Sequence, residues 1–110
     1  MPRPRPYSPY TTDAARLLGE QIRAARRERR WSQEELAARA GVTAETLRKV
    51  EHGNPSVALG TAFELATLVG VPLFYEHRTR LALELDRVAA RSALLPQRVH
   101  ARPRDVADDF

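Results

Sequence analysis

A chain of 110 residues, 43% hydrophobic and 6% aromatic, has material for one small aliphatic core plus tails. It contains no cysteine, which excludes disulfides and thiolate metal sites, and no apolar run long enough to span a membrane; the start, MPRPRPYSPY, lacks the apolar centre of a signal peptide. A soluble cytoplasmic protein is expected, and a net charge of +4 with a pI near 10.3 suits a polyanionic partner, although a mildly basic balance alone is weak evidence for one.

Residues 1–12 carry Arg3 and Arg5 among alternating prolines, which forbids a helix and favours an extended arm. That arm is either a disordered end or a basic strap for a DNA backbone or minor groove. Asp13 can cap a first helix running to about Arg29, with Leu17, Leu18, Ile22 and Ala25 as its buried stripe. Its other face is rich in arginine. Arg29 and Arg30 stand where they could neutralise phosphates; the plainer reading is a solvated face.

The stretch SQEELAARAGVTAETLRKVE, residues 32–51, reads as two short helices around a tight turn. Ser32 can cap the first, with Glu35 closing a capping box and Trp31 stapling to Leu36. Ala37 lies where the two helices cross most closely, and Gly41 suits a left-handed helix end. Thr43 can cap the second helix, Leu47 and Val50 form its buried stripe, and Gly53 stops it. Ala44, Glu45, Arg48 and Lys49 are left facing outward, the placement that a major-groove reader requires.

Beyond the loop at Asn54–Ser56, a fourth helix is expected from about Leu59 to Val69, with Leu59, Phe63, Leu65, Ala66 and Leu68 in the core and Gly70 ending it. From Pro72 a fifth element begins, and the pattern from Leu73 to Leu95 is helical with a break allowed near His77–Thr79. Phe74, Leu81, Leu85, Val88 and Leu95 follow a four-three spacing that suits helix pairing, or packing back on the same domain. Pro96 ends the helix. Val99 and Ala101 allow a short strand, and the acidic end VADDF offers only Val106 and Phe110 as large apolar groups.

Nothing in the sequence argues for catalysis or a cofactor. His52, His77 and His100 lack metal-ligand spacing, and there is neither a glycine-rich phosphate loop nor a serine elbow.

The stretch LGEQIRAARRERRWSQEELAARAGVTAETLRKVEHG, continued by LGTAFELATLVGVPLF, resembles the Xre-type helix-turn-helix domain of phage repressors. The resemblance implies an all-α fold: a five-helix lambda-repressor-like domain over residues 13–76, a C-terminal helical extension over 77–97, and flexible tails at 1–12 and 98–110. It also implies that Gln33 contacts phosphate, that Thr43 and Thr46 seat the second motif helix on the backbone, and that Ala44, Glu45, Arg48 and Lys49 occupy base-facing positions. Arg48 or Lys49 could donate to guanine and Glu45 could accept from cytosine. Ala44 departs from the glutamine often found there and offers only a methyl group. Arg26 and Glu51 match a structural ion pair. The segment VEHGNPSVALGT and the tail ending in DDF resemble the HipB-type antitoxins, which implies a homodimeric autorepressor on a palindromic operator in double-stranded DNA, with a HipA-like Ser/Thr kinase toxin as partner. A stand-alone regulator or a protein-interaction adaptor is the alternative. The surface expected to make the dimer or bind the partner is Leu81, Leu85, Val88 and Leu95.

Overall fold

The computed structural model describes residues 6–98, so Arg3, Arg5, the possible strand at Val99 and the acidic tail with Val106 and Phe110 lie outside the described residues. Five α-helices carry the fold: α1 Pro9–Glu28, α2 Gln33–Ala40, α3 Ala44–Glu51, α4 Leu59–Leu68 and α5 Arg78–Ala93. The chain divides into two compact units between Leu73 and Phe74, three residues before the boundary expected from the sequence.

In the first unit, α1 starts earlier than expected. Ser8, not Asp13, is the N-cap: its hydroxyl accepts from the Thr11 amide at 3.3 Å, and Pro9 takes the first helical position. Proline suits that position because its missing N–H has no helical partner there and its φ is already helical. Tyr10, Thr11 and Thr12 are therefore helical rather than part of an extended arm.

The core is formed by Ile22 of α1, Leu36 and Ala37 of α2, Leu47 and Val50 of α3, and Leu65 and Ala66 of α4, with Val69 and Val71 just beyond. Two leucines expected in it are outside: Leu17 is 61% exposed and Leu59 is 68% exposed. Leu17 lies five residues before Ile22, about 140° round the helix, so it cannot share that stripe. Gly19, three residues before Ile22, is buried on that side of α1 instead. Leu59 is the first residue of α4, after an N-cap Ala58 that makes no side-chain cap bond.

Four helices end in the same way. The residue after the last turn takes a left-handed conformation, and the next amide reaches back to close the turn: Trp31 N–H to Arg26 O (3.1 Å), Val42 to Ala37 (3.0 Å), Asn54 to Lys49 (2.9 Å) and Val71 to Ala66 (2.8 Å). Glycine supplies that conformation at Gly41, Gly53 and Gly70; after α1 the residue is Arg30, with φ +59°.

The helix expected from Pro72 does not start there. Proline could open a helix, as Pro9 does, but Phe74 adopts φ +65°, which a right-handed helix cannot contain. The second unit therefore enters α5 only at Arg78, with His77 as N-cap and no side-chain cap bond. This helix has 16 residues and none of them is buried. Leu81, Leu85 and Val88 lie on it and are exposed, whereas Leu95 falls beyond the C-cap Leu94 and so is not part of the helical stripe.

Candidate nucleic-acid interface

The α2–turn–α3 unit is fixed by its own caps. The Ser32 hydroxyl accepts from the Glu35 amide (3.0 Å) while the Glu35 carboxylate accepts from the Ser32 amide (3.1 Å), a reciprocal capping box. Gly41 turns the chain at φ +71°, and the space around it is open, so conformation alone demands glycine there. Thr43 then caps α3: its hydroxyl oxygen accepts from the Thr46 amide (3.1 Å), and the two threonine hydroxyls lie 3.0 Å apart.

Leu47 and Val50 turn inward from α3, and Glu45, Arg48 and Lys49 are exposed. Ala44 and Thr46 are half-buried, and Ala44 packs against the core, so of the four residues expected to face bases it is the least available. The exposed set places one acceptor and two cations along little more than one turn of helix.

Two glycines let α1 lie against the end of α3. A Cβ on Gly19 would stand 2.3 Å from the Val50 carbonyl oxygen and 2.8 Å from that of Glu51. A Cβ on Gly53 would meet the Arg16 Cα at 2.7 Å. Sequence reasoning missed Gly19; the signal was an isolated glycine inside an otherwise helical run.

An electrostatic knot sits at this crossing. Glu51 is 1% exposed and accepts from Arg26 Nε (2.7 Å), Arg26 Nη2 (3.1 Å) and Gln33 Nε2 (3.1 Å), with Arg23 Nε at 3.8 Å. Arg26 Nη1 donates to the Trp31 carbonyl (2.8 Å). Burial pushes the Glu51 carboxyl up, but the hydrogen bonds from Arg26 and Gln33 and the charges of Arg26 and Arg23 outweigh it and hold the group below the usual carboxylate range. One carboxylate thus ties α1, the start of α2 and the end of α3 together. Arg23 is a member of this group that the sequence reading did not name.

The other expected phosphate contacts are placed as follows. The Gln33 side-chain amide points to Glu51 with one of its two N–H donors and keeps the other. Arg29 passes its guanidinium over Trp31, 5.5 Å from the ring centre, and reaches Gly70, where an added Cβ would be 3.0 Å from Nη2. Arg39 covers the same ring at 4.2 Å. Arg30 is exposed at the left-handed turn.

Residues 22–75 match the protein-family profile described as helix-turn-helix, a span that opens in α1 and closes after α4. This segment is a helix-turn-helix domain. The match supports the Xre-type resemblance and a DNA-binding transcriptional regulator. No curated protein and no solved structure gives a significant match. Among the described residues no group of His, Asp and Glu side chains could hold a metal ion, and no helix is long and apolar enough to cross a membrane.

Proposed function

We propose that the protein is a sequence-specific transcriptional repressor that acts in the cytoplasm, reads double-stranded DNA with α3 and works by occluding a promoter, its own operon's included. The observation that carries this reading is the exposed row Glu45, Arg48 and Lys49 on a helix whose orientation is set by the Arg26–Glu51 pair. Cations on a firmly seated helix face can enter the major groove and donate to guanine N7 and O6, while Glu45 can accept from cytosine N4. Thr43 and Thr46 at the start of α3, the second N–H of Gln33, and Arg29 and Arg30 supply contacts to the phosphates on either side.

A single domain of this size covers half a site. Pairing across a two-fold axis, with half-sites ~34 Å or a multiple apart, makes a palindromic operator the matching target, and the exposed stripe of α5 is the surface we assign to the homodimer. Resemblance of VEHGNPSVALGT to the HipB-type antitoxins supports a HipA-like Ser/Thr kinase as the second partner.

The test is a footprint of the full chain on the DNA preceding its own coding sequence, repeated over a salt series. Protection of two symmetric half-sites, weakening steeply with salt, is expected; unprotected DNA at every salt concentration would leave the basic face without this role. Co-purification with a kinase encoded next to it tests the antitoxin part separately.

A further inference from the structure

The α5 helix is poorly equipped to stand alone. It has no side-chain N-cap bond and no acidic residue in its first turn, where Arg78 and Arg80 oppose the helix dipole instead. It buries none of its residues, yet it exposes Leu81, Leu85 and Val88 along one stripe. A 16-residue helix in water is marginal without a partner for its apolar face.

The residues beside that stripe say which partner and in which direction. In heptad terms Leu85 and Ser92 take position a, and Leu81 and Val88 take position d. The flanking positions differ in kind. One side carries the small residues Ala82 and Ala89; the other carries Glu84 and Arg91, of opposite charge. We propose that α5 pairs with α5 of a second copy of this chain in antiparallel orientation, an inference that rests on the homodimeric repressor reading above.

In that arrangement Leu85 meets Val88 of the second copy, and Leu81 meets Ser92, each contact repeated by the two-fold axis. Ala82 then faces Ala89 of the second copy, and their size lets the backbones approach. On the other side Glu84 faces Arg91 of the second copy, twice per dimer. Glu84 also accepts from Arg87 Nε within its own helix, and a carboxylate has acceptor sites for both. The basic first turn of each helix comes to lie beside the negative end of the other helix's dipole. A parallel pair has none of this: Arg78 would stack on Arg78 at position a, and Glu84 would face Ala89.

The absence of native cysteine makes a direct test possible in the full chain. Ala82→Cys protein is mixed with Ala89→Cys protein under a glutathione redox buffer and run on a non-reducing gel. The mixed 82–89 cross-link is expected to dominate, because antiparallel packing brings these two positions within disulfide reach. Homomeric 82–82 and 89–89 cross-links would overturn the orientation while leaving a dimer. Sedimentation of the same samples separates the remaining cases: a dimer without cross-links overturns this interface alone, and a monomer overturns the dimeric reading as well. A charge swap gives a second readout. Glu84→Arg and Arg91→Glu should each raise the dissociation constant on the order of tenfold, and mixing the two variants should recover it. Failure to recover counts against the antiparallel pair. No arm involves DNA, so a failure of DNA recognition would be seen separately.

Discussion

Arg26 and Glu51, 25 positions apart, form a two-pronged ion pair out of reach of water, Nε to Oε2 at 2.7 Å and Nη2 to Oε1 at 3.1 Å. This pair sets the angle at which α3 leaves the domain, because Glu51 is its last residue and Arg26 lies near the end of α1. Removing either partner strands a buried charge, which costs about 3–5 kcal/mol. Glu51→Gln should therefore lower the urea midpoint strongly, and Arg26→Ala comparably.

The same carboxylate predicts an acid limb. Its folded-state pKa is lowered relative to the unfolded chain, so between the two values the unfolded chain binds more protons. Its contribution to stability is complete above the ordinary glutamate value of about 4.3 and is lost as pH falls through the lower folded value. Urea titrations from pH 7 down to pH 3 should show wild type losing stability over this interval more steeply than Glu51→Gln. Equal slopes would remove Glu51 from the acid response.

Three glycines should respond differently, one with a gain and two with losses of unequal size. Gly60→Ala enters open space on α4 and should gain about 0.5–1 kcal/mol from reduced backbone entropy. Gly41→Ala also enters open space but at φ +71°, and should lose about 1–2 kcal/mol. Gly19→Ala drives a methyl group into the backbone of α3 and should lose the most, about 3 kcal/mol or more. Thermal melts of the three rank the close approach against the conformational demand.

Arg30 separates stability from binding. Its left-handed conformation, φ +59°, is strained for any residue with a Cβ. Arg30→Gly should raise stability by about 1 kcal/mol. On our reading of Arg30 as a phosphate contact, it should also weaken every DNA site alike and reduce the salt slope by about one. A melt and a salt titration on one variant measure both effects.

What could be read from the chain followed how local the signal was. The caps at Ser32 and Thr43 and the glycine at 41 are decided within four residues, and the helix ends lie where those residues put them. Ser8 and Pro9 carried an equally local signal, which the surrounding prolines masked as an extended arm. Leu17 and Leu59 look like core by hydrophobicity, but their exposure depends on which face of each helix meets its neighbours. The close approach at Gly19 depends on where α1 crosses α3, which no spacing within α1 records. At the site, the exposure of Glu45, Arg48 and Lys49 follows from helical period once Leu47 and Val50 are inside. The half-burial of Ala44 and the turn of Gln33 toward Glu51 are tertiary and were not readable.

The most direct test of the central claim is selection of duplexes from a random double-stranded pool by the full chain, in parallel with Arg48→Ala and Lys49→Ala. One enriched motif with two symmetric half-sites is expected. Replacing a base-contacting cation should cost about 1–3 kcal/mol and relax the preference at one base pair per half-site. An unchanged motif from both variants, or no enrichment by the wild-type chain, would contradict reading of DNA by α3.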